Sequence, residues 1–215
     1  MALDCTAARE KMVRAQLAAR GITDARVLAV MARVARESFV PAGLRELAYE
    51  DRALPIGERQ TISQPYMVAL MVEALELGED DRVLDVGTGS GYEAAILAGL
   101  CERVISVEWS RSLAARAAGV LGELGYDNVR VACGDGTLGW EEEAPYDAIV
   151  VSAASPGLPR PLVEQLKTGG RLVLPVGEQD LQTLVRVRKE TKGLKEDYLG
   201  ECRFVKLVGE WGWKT

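Results

Sequence analysis

The sequence predicts a doubly wound, mostly parallel α/β sheet with an amino-terminal helical layer and a carboxyl-terminal antiparallel strand pair. Three observations predict it. From Arg82 onward short apolar runs alternate with helical segments, the order that builds a parallel sheet covered by helices. Those runs are apolar throughout rather than at every second position, as strands buried on both faces are. The first of them ends in a glycine-rich turn that leads directly into a helix, the ligand-holding corner of such sheets.

The elements follow in chain order. The first forty residues read as helical. Arg26 to Phe39 is the clearest stretch: Val27, Val30, Met31 and Val34 recur at helical spacing behind a Thr23 or Asp24 cap, and Pro41 stops the run. Arg26, Arg33 and Arg36 would then line one solvated helical face. Leu54 to Gln64 is polar and loop-like, and Pro65 opens an apolar-periodic run to Leu77 that Gly78 ends. Strands are expected at Arg82 to Val86, Arg103 to Val107, Val129 to Ala132, Asp147 to Val151 and Arg171 to Leu174. Helices fall between them near Tyr92 to Leu100, Arg111 to Leu124 and Pro159 to Leu166. At the carboxyl end Thr183 to Lys189 alternates, Lys192 and Gly193 make a turn, and Arg203 to Val208 is apolar again, so an antiparallel pair joins the sheet. No repeat or linker divides the chain. Residues 1–215 are therefore expected to form one domain, with 1–77 supplying helices and the polar loop and 78–215 the ligand-binding core.

Composition narrows the function. With 215 residues, 48% of them hydrophobic, the chain can build one generous core. Charges interrupt the longest apolar stretches well short of the roughly 20 residues a spanning helix needs. Asp4, Arg9, Glu10 and Lys11 break any secretory signal, so a cytoplasmic protein with no membrane partner is expected. Acidic residues number 32 against 26 basic, a net charge of -6. A field of that sign repels phosphate backbones and argues against a nucleic-acid partner. Cys5, Cys101, Cys133 and Cys202 form no CxxC pair and read as reduced thiols. Histidine is absent, which removes catalytic triads, most zinc sites and the usual proton shuttle. No metal is expected, and the chemistry must run without imidazole.

The sharpest feature is Val83-Leu84-Asp85-Val86-Gly87-Thr88-Gly89-Ser90-Gly91-Tyr92. Glycines there let the backbone turn tightly and let a ligand approach the main chain. A dinucleotide fingerprint counted from Gly87 would need glycine where Tyr92 stands, and a P-loop would need a lysine that the turn lacks. What remains, an acid followed by Gly87, Gly89 and Gly91 at alternate positions, resembles the first motif of S-adenosylmethionine-dependent methyltransferases of the Rossmann-like class. That cofactor carries no phosphate and has a cationic sulfonium and ammonium, so Asp85 beside the turn suits it electrostatically; Asp85 also reads as a cap for backbone amides of the turn. Glu108 ends the second strand about 20 residues on, where a carboxylate can accept hydrogen bonds from both ribose hydroxyls. After the third strand Gly134-Asp135-Gly136 places a carboxylate between two flexible residues, suited to the adenine amino group or to a plain Asp-Gly turn.

A narrower resemblance rests on Arg59-Gln60-Thr61-Ile62-Ser63-Gln64-Pro65-Tyr66-Met67, Ala144 to Ile149, and Gly169 to Gly177 with its Leu-Pro-Val-Gly ending, together with the glycine turn. From about Lys11 to about Val208 the chain resembles the protein-L-isoaspartate O-methyltransferase family. The resemblance implies transfer of the cofactor's methyl group to the carboxylate of L-isoaspartyl residues in damaged proteins and peptides, leaving S-adenosyl-L-homocysteine and starting repair through a succinimide. It implies Ser63 as the active-site serine and Asp85, Gly87, Thr88, Gly89, Gly91, Glu108, Asp135 and Gly136 as cofactor positions; a monomer is expected. Many members carry His after the proline of the Ser-x-Pro segment; Tyr66 stands there in this chain.

The chemistry suits a chain without histidine. A carboxylate of pKa about 4 is ionised at neutral pH, so the nucleophile needs no general base. Ser63, in a polar loop just before a helix amino terminus, reads either as a donor to that carboxylate or as a helix cap. Two other functions stay open on sequence grounds: a methyltransferase of small molecules or nucleic acid, and a cofactor-binding module without turnover. Against the nucleic-acid enzymes, Val151-Ser152-Ala153-Ala154 stands where an (Asp/Asn)-Pro-Pro-(Tyr/Phe) segment would be, and no Pro-Cys nucleophile exists.

Overall fold

The computed structural model describes residues 4–214, so both ends of the expected 1–215 span lie outside the described residues. Helix α1 (Cys5–Met12) is capped by Asp4, whose side chain accepts the amides of Thr6 and Ala7, and it runs on through a wide turn and a 3-10 turn to Arg20. Helix α2 (Ala25–Arg33) starts at the expected Asp24 cap. It does not continue to Phe39. Val34 turns extended, and a separate 3-10 turn covers Arg36–Phe39. The break carries Arg36 off the solvated face and into the interior, where it is fully buried.

The polar segment before Pro65 is a hairpin rather than a loop, formed by β1 (Leu54–Gly57) and β2 (Gln60–Ile62). Its two central residues, Glu58 and Arg59, have φ of 51° and 57°, as a tight two-residue hairpin turn requires. No Asn-Gly or Asp-Gly pair announces that turn, which is why the strands are hidden in the sequence. Two contacts hold it: Ser112 donates to Glu58 Oε1 at 3.0 Å, and the Arg116 guanidinium donates to the Ile56 carbonyl. Helix α3 (Pro65–Ala74) follows with Pro65 in its first turn and ends short of Leu77.

The seven-stranded sheet contains β3 (Arg82–Val86), β4 (Arg103–Glu108), β5 (Val129–Cys133), β6 (Tyr146–Val151), β7 (Leu166–Gly177), β8 (Gln182–Glu190) and β9 (Gly193–Cys202), in spatial order β5-β4-β3-β6-β7-β8-β9. The first five strands are parallel, and β8 and β9 add antiparallel pairings. Between them run α4 (Tyr92–Ala98), α5 (Arg111–Glu123) and α6 (Arg160–Gln165). Strand β7 begins earlier than expected because Leu166 pairs with Tyr146 across an irregularity in register.

The last strand corrects the sequence reading. Arg203–Val208 is not the partner of β8; the polar segment Gly193–Cys202 is. An edge strand takes its place from backbone pairing and needs little apolar surface, and charges along it discourage further pairing. Arg186 of β8 holds Asp197 of β9 through two contacts of 2.9 and 2.7 Å. Residues 203–208 instead run across the carboxyl ends of the strands, with single bridges from Lys206 to Ala154 and from Val208 to Trp213.

Period-two burial divides the core. Val83, Val104, Ala148, Val150 and Val173 face one apolar cluster with α2, α3, α4 and the 3-10 turn; Leu84, Val86, Ile105, Val107, Ile149 and Leu172 face another with α6. Each fully buried aliphatic chain contributes about 1.5–3 kcal/mol of transfer free energy, so covering both faces stabilises the parallel strands and leaves their carboxyl ends to carry function. Among the described residues no helix is long and apolar enough to cross a membrane.

Candidate active site

The chain runs outward from β3 through β4 to β5, then returns to lay β6 on the other side of β3. Ligands bind at such a reversal, in the crevice beyond the carboxyl ends of the strands. Here the crevice is a cleft of about 360 Å³ whose walls include Gly87, Gly89, Glu108, Trp109, Gly136 and Ser152. A hollow of about 540 Å³ lies elsewhere, between Arg82, Arg103 and Arg130 at the strands' amino ends. There the three guanidiniums share Glu143 at 3.0, 2.8 and 3.0 Å, an ion-pair network away from the glycine turn.

The turn's shape is set by its backbone. Gly87 and Gly89 have φ of +96° and +54°, a region that side chains rarely enter. The Gly87 amide donates to the Val107 carbonyl at 2.8 Å, and the Ser152 amide donates to Val86 at 2.8 Å, so β4 and β6 grip the turn from both sides. Glu108 closes it. Its Oε2 accepts the Gly89 amide at 2.8 Å and its Oε1 the Ser110 amide at 2.9 Å. A carboxylate has about four lone-pair sites, so acceptor capacity remains for ligand hydroxyls.

The predicted cofactor residues divide into walls and supports. Gly87, Gly89, Glu108 and Gly136 line the cleft, and Thr88 lines a smaller adjoining cavity. Asp85 lies beneath, fully buried. Its Oδ2 accepts from Ser106 Oγ at 2.6 Å, and Ser106 is linked to Thr88 Oγ1 at 2.5 Å. This chain braces Thr88 from below. Burial pushes the Asp85 carboxyl well above the usual range, against the Ser106 hydrogen bond and with help from Glu108. Gly91 is buried against Leu121 and Ala117 of α5.

Asp135 also acts within the chain. Its Oδ1 accepts the amide and hydroxyl of Thr137 at 2.9 and 2.6 Å, and its Oδ2 accepts the Glu210 amide at 2.7 Å. It thereby caps the 3-10 turn Gly136–Leu138 and ties down the end of the chain that follows the Lys206–Val208 wall. Trp213 completes the tie through its indole N–H to the Ala154 carbonyl at 3.0 Å. Asp135→Ala is expected to lower unfolding free energy by about 1–3 kcal/mol and to speed tryptic cleavage after Arg203 and Lys206. Unchanged cleavage would show that Asp135 does not hold this segment.

Ser63 stands across the turn from the glycines. The cap of α3 is Gln64, and no side chain caps the helix, so Ser63 does not serve as its cap. Its carbonyl accepts from Arg36 Nη2 at 2.8 Å, while Arg36 Nε donates to the Ala48 carbonyl at 2.7 Å. The Arg36 guanidinium rests 4.8 Å from the centre of the Tyr92 ring. Ser63, Gln64 and Tyr66 line a second cleft of about 520 Å³, and Arg20 lies over the Tyr66 ring at 3.6 Å. Between the two clefts is a cavity of about 30 Å³ bordered by Ser63, Gly87 and Glu93. Thr61 and Ser152 line all three spaces. The glycine turn and the Ser63 turn therefore border the same small cavity.

Several site residues escape sequence reasoning. Ser152 carries a signal, since it directly follows a predicted strand at its carboxyl end. Glu93 carries another, being the lone acid in a helix that is otherwise apolar. Trp109 follows Glu108 but has no spacing rule of its own. Arg36 gives no signal, because its burial depends on the break in α2.

A doubly wound sheet with a glycine turn after its first strand, an acid closing that turn and no phosphate-binding lysine defines a Rossmann-like methyltransferase fold. Within that class, the family model described as protein-L-isoaspartate(D-aspartate) O-methyltransferase matches residues 7–212, and the chain belongs to that family. The chain is 54% identical to protein-L-isoaspartate O-methyltransferase 1 of Syntrophobacter fumaroxidans, over 96% of this chain and 97% of that one. A solved structure of a protein-L-isoaspartate O-methyltransferase superposes with a TM-score of 0.84 at 33% identity, covering 95% of this chain and 67% of the other. A solved structure from Plasmodium falciparum, holding S-adenosyl-L-homocysteine, gives 0.81 at 29% identity over 93% of this chain and 98% of that one.

Proposed function

We propose that this chain transfers the methyl group of S-adenosylmethionine to the side-chain-path carboxylate of L-isoaspartyl residues in damaged proteins and peptides. The observation that carries the reading is that Ser63 and the Gly87 turn line one small cavity, whose walls Thr61 and Ser152 are shared with both the Glu108 cleft and the Ser63 cleft. When bound, S-adenosylmethionine supplies an electrophilic methyl group on a positively charged sulfur. The residues present fit it: an uncrowded glycine turn, spare acceptors on Glu108 for ribose hydroxyls and carboxyls without bonded cations near the cationic end. Gly136 lets the adenine face approach the sheet, and Asp135 seats Gly136 and the Lys206–Val208 wall. Among the described residues Asp135 Oδ2 accepts only the Glu210 amide, so one acceptor site remains for the adenine amino group.

On the peptide side, Ser63 donates its hydroxyl to the isoaspartyl carboxylate. The first amides of α3 add the partial positive charge that a helix amino terminus offers an anion. The carboxylate arrives ionised, so no side chain removes a proton. Buried walls at the junction exclude water and hold the nucleophile in line; such positioning lowers a barrier by about 7–11 kcal/mol. The resulting ester loses methanol as the neighbouring backbone nitrogen closes a succinimide, and water reopens that ring in part to normal aspartate. In this reading the enzyme works as a monomer. The free state of Cys5, Cys101, Cys133 and Cys202 supports a reducing, cytoplasmic setting. One apolar cluster running from Met12 to Cys202 supports a single domain in which 1–77 brings the substrate turn to the 78–215 core.

Paired peptides differing only in isoaspartate or aspartate, incubated with methyl-labelled cofactor, test the reading. Base-labile label on the isoaspartyl peptide alone is expected; cofactor binding with no transfer to either would instead make the chain a binding module. Ser63→Ala should reduce kcat/KM by about 1.5–3 kcal/mol with melting temperature nearly unchanged. Full turnover in that variant would remove Ser63 from the site.

A further inference from the structure

Glu93 is the one group at the junction that the reading above leaves without a role. It lies in the first turn of α4 and is only 7% exposed. Its Oε2 accepts from Ser152 Oγ at 2.6 Å, while its Oε1 is buried with no partner. The side chain borders the small cavity that separates the glycine turn from Ser63. Asp85, Glu93 and Glu108 are neighbours here, and among the described residues no lysine or arginine forms an ion pair with any of them. The chain thus builds a pocket of buried acids and supplies no counter-charge.

The donor and its product differ at this point by one charge: the sulfur is a sulfonium before transfer and a neutral thioether after. We propose that Glu93 is a specificity-determining residue that distinguishes the charged sulfur from the neutral one, favouring S-adenosylmethionine over S-adenosylhomocysteine. The inference rests on the cofactor assignment made above. A carboxylate in a buried site feels a nearby unit charge far more strongly than it would in water, whereas a thioether offers it almost nothing. Ser152 holds the carboxylate through Oε2, which leaves Oε1 as its unpaired atom.

The titratable groups about Glu93 are Asp85 from β3 and the Tyr92 phenol beside it on α4, with Glu108 of β4 acting on Asp85; Ser152, Thr61 and Ser63 do not titrate, and Arg36 lies over the Tyr92 ring. Burial, reinforced by Asp85 and opposed by Ser152, pushes the Glu93 carboxyl upward. It is therefore held largely neutral in the free chain. Arrival of a sulfonium reverses the balance, so the carboxyl releases its proton to solvent as the cofactor binds. The thioether product does not cause this release.

Binding calorimetry with S-adenosylmethionine and S-adenosylhomocysteine, on the wild type and on Glu93→Gln, tests the inference. Glutamine keeps the shape and an acceptor for Ser152 but carries no charge. The variant is expected to bind S-adenosylmethionine about tenfold more weakly and S-adenosylhomocysteine within about twofold of the wild type. Repeating the titrations in two buffers of different ionisation enthalpy counts protons: the wild type should release more with S-adenosylmethionine than with the product, and the variant should lose that difference. Equal weakening of both ligands, or unchanged binding of both, overturns the role of Glu93 while leaving the cofactor assignment standing. A wild-type protein that binds neither ligand overturns the cofactor assignment and this inference with it.

Discussion

Arg36→Ala is expected to lower stability by about 3–5 kcal/mol and melting temperature by about 10 °C. Among the described residues the guanidinium has no carboxylate partner; what holds it inside is the Ser63 carbonyl, the Ala48 carbonyl and the face of Tyr92. Truncation leaves two buried carbonyls without donors and opens space beneath the substrate turn. It also removes the cation–π contact, which contributes about 2 kcal/mol when desolvated. Function should fall as well, because displacement of a positioned group by about 1 Å can cost a hundredfold in rate. The loss should appear in kcat/KM for the isoaspartyl peptide, with S-adenosylhomocysteine affinity nearly retained, since Arg36 touches no wall of the cofactor cleft. Arg36→Lys should recover part of the stability, as a lysine can reach one carbonyl but cannot fork to both. Thermal unfolding, peptide kinetics and calorimetry on the two variants check this; a stable Arg36→Ala with normal kcat/KM would refute the prop.

Glu108→Ala should show the opposite division. Its carboxylate organises the cofactor side by accepting the amides of Gly89 and Ser110, and the proposed ribose bonds add to these. Hydrogen bonds to a charged acceptor contribute about 1.5–3 kcal/mol each. Losing the set is expected to weaken S-adenosylhomocysteine binding by about a hundredfold to a thousandfold. Glu108→Gln, which can still accept one amide, should fall between. Calorimetry reads the effect directly, and peptide kinetics at saturating cofactor should recover much of the rate, because the Ser63 turn is untouched. Wild-type affinity in Glu108→Ala would mean that the cofactor lies elsewhere.

These two residues also mark what the sequence discloses. Glu108 is legible because it sits where a strand ends, at a spacing from Gly87 fixed by one helix and one strand; the parallel sheet is legible for the same reason, its strands being apolar on both faces. Ser63 is legible through its motif, and the turn it occupies through Pro65. Arg36 is not, because an arginine three places after Arg33 belongs on the same helical face unless the helix breaks, and the break at Val34 depends on tertiary burial. The β1–β2 hairpin is hidden because Glu58 and Arg59 adopt left-handed conformations that their residue types do not advertise. The edge strand β9 is hidden because pairing along one backbone edge places no demand on side-chain polarity. Asp135 is legible as important from its Gly-Asp-Gly setting, yet only the structure shows its bonds to Thr137 and Glu210.

A crystal structure of the protein with S-adenosylhomocysteine bound is the most direct measurement. The account predicts the adenosine against Glu108 and Gly136 and the sulfur at the junction bordered by Thr61, Ser152 and Glu93, open toward Ser63. A sulfur enclosed on the Glu108 side with no opening toward Ser63, or a ligand bound away from the glycine turn, would contradict it.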